Sequence, residues 1–324
     1  MFLSDFTLDS LDGRLLMAVP KKGRLYEASL TLLQGSDIQF HRHNRLDIAL
    51  CHNLPIALVF LGAADIPVFV GEGRCDLGIT GQDQVAESRT GHVEEILQLG
   101  FGKCKLQVQV PARGSIADPK ELIGKQVVSS FTNLSREYFR QLEVEAFGAE
   151  AVEKDGMKTV MKYVGGSVEA ACALGVADGI VDLVESGETM KAAGLKAIST
   201  VMDTQAVLIR SKTPRNPELA DLILSRIHGV ITAKKYVLCT YNIRRALLPK
   251  VHEITPGKRA PTITTLEEEG WYAISVMVEK KEIAEVMDKL EAAGASDILV
   301  LQISNSRAGK PTSPSSGLQI NGTT

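Results

Sequence analysis

Between Asp178 and Met190 the chain reads DGIVDLVESGETM, a β-branched run that enters a short polar turn and then a helical stretch. Ser186, Gly187 and Thr189 stand at the start of that helix. Backbone N–H groups and small hydroxyls there can hold a phosphate, helped by the positive end of the helix dipole. Asp178, Asp182 and Glu185 lie just upstream. Carboxylates beside a phosphate cradle need a reason, and ribose hydroxyls or a hard magnesium ion supply one, since both favour carboxylate oxygens. Taken alone, the same residues describe a capped helix with solvated acids.

Three further segments bear on that choice. PKKGRL, Pro20 to Leu25, sets Lys21, Lys22 and Arg24 around a glycine directly after an apolar strand. Three cations on one strand-to-helix turn suit a polyphosphate, and Arg24 can bind one with two parallel hydrogen bonds; a basic surface loop is the plainer reading. GRCDLGITGQD ends a strand at Thr80 and Gly81 before a helix, which makes either an anion pocket or a tight turn. VGGSVEAA opens a helix at Gly165, Gly166 and Ser167, with Glu169 in its first turn. All four segments fall at the same end of their strands, so a two-lobed α/β protein can face them into a common cleft.

The elements that must position them alternate. LLMAVP, a helix over Leu25 to Gln34, ALVFLG, a helical DIPVFVGEG and CDLGIT form one series. KLQVQVP, KQVVSS, a helix from Leu134 to Phe147, TVMKYV, a helix from Val168 and GIVDLV form a second. Such alternation predicts two α/β lobes. AISTVMDTQAVLIR leads from the second lobe back to the first, leaving the first discontinuous and a cleft between them. The expected boundaries are residues 1–103 with 200–222 for the first lobe and 104–199 for the second. After a junction at SKTPRNPE the order becomes βαββαβ over 223–304, a ferredoxin-like unit.

The 36 basic and 39 acidic side chains leave a net charge of -3, too little to draw nucleic acid to the whole surface. Anions must be caught locally. The five cysteines show no paired spacing, and they read as reduced, buried thiols. His41, His43 and His52 have no metal-ligand spacing. The N-terminus lacks the basic start and clean apolar run of an export signal, and no stretch reaches the ~20 apolar residues of a membrane span. A cytoplasmic location is expected, with a disordered tail over 305–324.

PKKGRL, the DIP of Asp65 to Pro67, GEGRCDLGITGQD, the TNLSREYF of Thr132 to Phe139, GGSVEAA and DGIVDLVESGETM stand in an order that resembles the ATP phosphoribosyltransferases, over roughly Leu15 to Ser304. The βαββαβ segment is similar to that family's long form. The resemblance implies two periplasmic-binding-protein-like (type II) lobes around a cleft, plus a C-terminal ferredoxin-like regulatory domain. It implies that an adenine ring nitrogen of ATP displaces pyrophosphate from phosphoribosyl pyrophosphate, giving phosphoribosyl-ATP in the first step of histidine biosynthesis. Magnesium would be the cofactor and L-histidine the feedback inhibitor, in a homo-oligomer expected to be a hexamer.

By the same resemblance, Glu185, Ser186, Gly187, Glu188 and Thr189 would hold phosphoribosyl pyrophosphate. Asp178 and Asp182 would engage ribose or magnesium and, with Lys22, act in catalysis. Lys21, Arg24, Arg45, Asp65, Thr80 and Gly81 would meet ATP. Gly62, Ala63 and Ala64 depart from the pattern, since many relatives carry basic residues there. Asn242 stands where some relatives have a ligand-facing acid, and a histidine site is expected around Asn242, Thr262 and Met277. Two alternatives remain: a phosphoribosyltransferase for another base, and a non-enzymatic cytosolic sensor of small anions on a solute-binding fold.

Overall fold

The computed structural model describes residues 8–42 and 46–307. Arg45, His43 and most of the expected tail, from 308 onward, lie outside the described residues. The chain divides into two compact units: one runs to Ala220 without Gly35–Asp37, and the other takes Gly35–Asp37 and everything from Asp221. That division falls inside a helix, not in SKTPRNPE.

The first unit opens with β1 (Leu15–Pro20), α1 (Tyr26–Gly35), β2 (Ile48–Leu50), β3 (Ile56–Leu61), α2 (Ile66–Gly71), β4 (Leu77–Gly81), α3 (Gln82–Ser88) and β5 (Val93–Gln98). Leu15, Met17, Ala18 and Val19 are all fully buried. Apolar side chains on both faces of β1 call for cover on both sides, the condition of a parallel sheet; β1 indeed pairs in parallel with β3 and β4.

The chain then builds a second sheet from β6 (Cys104–Pro111), β7 (Gln126–Ser129), β8 (Val160–Tyr163), β9 (Gly179–Val184) and β10 (Leu195–Thr204). Between these strands lie α4 (Thr132–Phe147), α5 (Ala149–Asp155), α6 (Ala170–Ala173) and α7 (Glu188–Ala192). It returns as β11 (Ala206–Ser211), which enters the first sheet antiparallel between β4 and β5.

The strand orders are β2-β3-β1-β4-β11-β5 and β10-β6-β9-β7-β8. Setting aside β2, both read alike: three parallel strands with the earliest in the middle, then an antiparallel strand, then an edge strand. These are two type II periplasmic-binding-protein-like lobes. β10 stays paired with β6 as far as Thr204, so the return crossing falls at Gln205 and not at the expected residue 200.

The second unit takes up the chain within α8 (Pro217–Lys235), followed by β12 (Tyr236–Arg244), α9 (Leu248–Ile254), β13 (Thr262–Thr265), β14 (Trp271–Glu279), α10 (Ile283–Ala292) and β15 (Ser296–Gln302). Its sheet order, β13-β14-β12-β15, is antiparallel throughout and ferredoxin-like. Val237, Cys239, Tyr241 and Ile243 alternate along β12 into one core with Ile274, Val276 and Leu290.

Candidate active site

In open α/β sheets the ligand crevice lies beyond the carboxyl ends of the strands, where the strand order reverses. In the first sheet that point is between β1 and β4, whose ends lead into Lys21–Arg24 and Gln82. In the second it is between β7 and β9, whose ends lead into Thr132 and Glu185–Thr189.

Two adjacent crossings join the lobes, residues 99–103 and Gln205. Arg24 ties both of them. Its guanidinium donates to the Gly102 carbonyl and, at 3.3 Å, to Oδ1 of the fully buried Asp83. The Thr204 hydroxyl donates to that same Oδ1 at 2.6 Å, and the Asp83 N–H donates back to the Thr204 oxygen at 3.0 Å. Burying a carboxylate demands such partners. Gly81 is required here: a Cβ would run into Asp83 and come within 3.3 Å of the Arg24 guanidinium. Arg24 keeps 22% of its side chain exposed.

A cavity of about 460 Å³ opens beside this hinge, lined by Gln82, Lys103, Cys104, Lys105, Val184, Glu185, Ser186, Asp203, Thr204 and Gln205. All but Gln82, which starts α3, fall into three rows across β10, β6 and β9 and the residues adjoining their ends. Asp203, Lys105 and Val184 are register partners, and Thr204 and Cys104 continue the ladder. Burial pushes the Cys104 thiol up to about 11, with Arg24 opposing. It is therefore neutral and no nucleophile. Cys51, Cys75, Cys172 and Cys239 are likewise free thiols with raised values.

The turn after β9 is open. Glu185, Ser186, Glu188 and Thr189 are exposed, and Gly187 takes the left-handed conformation at φ 79°. The Glu188 N–H donates to the Ser186 hydroxyl at 3.4 Å. α7 has only five residues, so its dipole is smaller than the sequence reading assumed. Likewise the GGS loop caps no long helix: Ser167 sits at φ 50°, and α6 begins only at Ala170.

Asp182 is half-buried on β9. Burial raises its carboxyl above the ordinary range; the Leu183 N–H, donating to Oδ1 at 2.8 Å, opposes this, and nearby Glu169 adds to it. Asp178 is separated from this group. It precedes β9, whose six residues span about 20 Å, and its carboxylate accepts from the Gln126 N–H at 3.0 Å. The expectation that Asp178 and Asp182 share one ribose or metal therefore fails on strand direction: acids four apart in a strand share a face but not an end.

Other expected residues fall as follows. Lys21 and Lys22 are exposed, with Lys21 3.9 Å from Asp47. Thr80 is fully buried and donates to the Ala63 carbonyl at 2.8 Å. Asp65 is exposed before α2, its carboxylate over Gly62. In the second unit, Asn242, Thr262 and Met277 share the sheet face opposite the helices. The Asn242 amide donates to Asp297 at 3.0 Å.

Sequence reasoning missed the hinge cluster of Asp83 and Thr204, and Lys103 and Lys105. The Asp83–Thr204 pairing left no signal, being made across 121 residues. Lys103-Cys104-Lys105 did leave one: two cations flanking an apolar position at a strand start present a charged face.

Residues 62–229 match the family model described as ATP phosphoribosyltransferase, and residues 233–305 match that of the HisG C-terminal domain. An ATP phosphoribosyltransferase of Yarrowia lipolytica is 63% identical over 93% of this chain and 99% of its own length. One of Candida glabrata is 58% identical with the same coverage. Among solved structures, the ATP phosphoribosyl transferase (HisG:HisZ) complex from Thermotoga maritima aligns with a TM-score of 0.54 at 22% identity, over 67% of this chain and 97% of that one, a likeness of fold. With a hinge, an open turn and a cavity at the strand ends, and with relatives this similar over nearly its whole length, the chain belongs to the ATP phosphoribosyltransferases, the enzymes of the first step of histidine biosynthesis.

Proposed function

We propose that the first unit transfers phosphoribosyl from phosphoribosyl pyrophosphate to an adenine ring nitrogen of ATP, with magnesium as cofactor, and that the second unit carries feedback inhibition by L-histidine. The observation that carries the reading is the 460 Å³ cavity with Glu185 and Ser186 on its wall and the Arg24–Asp83 hinge beside it. Glu185 to Thr189 hold the phosphoribosyl group, while Lys21 and Lys22 neutralise ATP phosphates and Arg24 fixes the lobes around both substrates. The bond from the anomeric carbon to pyrophosphate breaks as the bond to nitrogen forms, so no nucleophilic side chain is needed. Positioning and charge stabilisation dominate.

The acids suit a hard cation. No group of three or more His, Cys, Asp or Glu among the described residues can hold a metal by itself, which fits a magnesium held by one or two carboxylates and by substrate phosphates. Asp182 would hold it with Glu169, whose negative charge, after burial, helps raise the Asp182 carboxyl and would be offset by the cation. When bound, the ion supplies charge neutralisation to the leaving pyrophosphate.

Asn242, Thr262 and Met277, on one open sheet face, are the histidine site in this reading. The chain works as a cytoplasmic homo-oligomer, a hexamer; among the described residues no helix is long and apolar enough to cross a membrane. The test is pyrophosphate release from phosphoribosyl pyrophosphate and magnesium, with and without ATP and L-histidine. ATP-dependent release suppressed by histidine is expected. Product from a free base but none from ATP overturns the acceptor, and indifference to histidine overturns the second unit's role.

A further inference from the structure

The turn assigned to the phosphoribosyl group is short of positive charge. From Gly179 to Met190 the chain has Asp182, Glu185 and Glu188 and no base. Lys191 follows in α7 but does not line the cavity. A substrate with a phosphate at one end and a pyrophosphate at the other needs cations at close range, because water screens distant ones.

Strand register supplies one from the neighbouring strand. Lys105 pairs with Val184 and Leu106 with Leu183. Carried one step past the ladder, that register sets Cys104 opposite Glu185; one step more sets Lys103 opposite Ser186. Facing residues of antiparallel strands share a side of the sheet, and Lys103, Lys105 and Ser186 all line the cavity. Lys105 is engaged 3.7 Å from Asp203. Lys103 is exposed and has no ion pair among the described residues.

We propose that Lys103 is a substrate-contacting residue of the transfer: its ammonium binds the pyrophosphate of phosphoribosyl pyrophosphate across the cavity from Ser186, while Lys105, held by Asp203, lines the wall behind it. The electron pair of the breaking bond goes to the pyrophosphate oxygen. The Lys103 ammonium stabilises the charge that collects there. This rests on the reading of the Glu185–Thr189 turn.

The test is steady-state kinetics on the full chain carrying Lys103→Ala, Lys103→Arg and, separately, Thr189→Ala, with calorimetric titration of inorganic pyrophosphate. For Lys103→Ala, loss of one charged contact is expected to raise KM for phosphoribosyl pyrophosphate about tenfold or more, with KM for ATP within about twofold. Lys103→Arg is expected to restore most of the loss, and pyrophosphate binding to weaken in parallel. Should Lys103→Ala melt early, Lys103→Gln and the pyrophosphate titration carry the test. An unchanged KM for phosphoribosyl pyrophosphate beside a raised one in Thr189→Ala overturns the role of Lys103 and spares the turn. A rise in KM for ATP alone also overturns it. No effect from Thr189→Ala overturns the turn itself.

Discussion

Asn133 donates twice to Glu87: its N–H to the Glu87 carboxylate at 2.8 Å, and its side-chain amide to the Glu87 carbonyl at 2.9 Å. Glu87 belongs to α3 of the first lobe, and Asn133 to the first turn of α4 in the second. The same carboxylate accepts from the Leu134 N–H at 2.9 Å, so it satisfies two of the four open donors of a 16-residue helix and meets its positive end. The lobes are clasped there as well as at the hinge.

Glu87→Gln puts an NH2 group against one of those donors. It is expected to cost about 1–3 kcal/mol and to speed amide exchange at Asn133 and Leu134 before the rest of α4. Uniform exchange along the helix, with an unchanged melt, would mean that the clasp contributes nothing.

Gly81→Ala places a Cβ 3.0 Å from the Asp83 carboxyl carbon and 3.3 Å from the Arg24 guanidinium. The Arg24–Asp83–Thr204 cluster must shift, at a cost of about 1–3 kcal/mol, and turnover is expected to fall with it. Native melting with native turnover would show the hinge to be more tolerant than its geometry implies.

Asp182 carries a pKa raised by burial. A carboxyl raised above its unfolded value binds its proton more tightly in the fold, so stability falls as pH rises through the window above its ordinary 3.8. Asp182→Asn removes that cost and keeps an acceptor for the Leu183 N–H. Denaturant unfolding at neutral pH is expected to show a gain in stability together with a loss of turnover; Asp182→Ala is expected to lose turnover while still melting cooperatively. Full activity in both would remove Asp182 from the reaction.

Glu143 shows the opposite sign. It is fully buried, and although burial resists its charge, the Thr159 hydroxyl at 2.6 Å and the N–H groups of Lys158 and Thr159, both at 2.8 Å, lower its pKa below 4.5. Its contribution is present above that ordinary value and is lost as pH falls from there through the depressed one. Acid unfolding followed by circular dichroism should therefore flatten in Glu143→Gln, with about 1–3 kcal/mol lost at neutral pH. An identical acid profile would assign the transition to other carboxylates.

The alternating grammar of strands and helices was legible because β1 is apolar throughout and β4, β9 and β11 each carry a short, buried apolar run. β5 was not legible: VEEILQ places two acids side by side, and its strand character comes from pairing with β11, far along the chain. The βαββαβ unit was legible from the order of its elements, and the structure adds the alternating burial along β12. At the site, the turn at Glu185–Thr189 could be read locally, whereas Asp178 misled because its distance from that turn depends on strand direction. Glu87 sits in an ordinary helical stretch, and its meaning appears only when α4 is packed beside it. The anion-sensor alternative rested on fold alone, which many functions share; relatives at 63% and 58% identity set it aside.

The place of β11 between β4 and β5 sets an order for synthesis. Among the described residues β5 pairs with β11 alone, so the first sheet lacks its closing strand until residue 211 has been made. The second lobe's five strands are complete by Thr204. The nascent chain therefore carries an unfinished N-terminal sheet, with the β4 edge and all of β5 unpaired, while the inserted lobe already has every strand it needs, an inversion of the usual order in which the N-terminal part folds first.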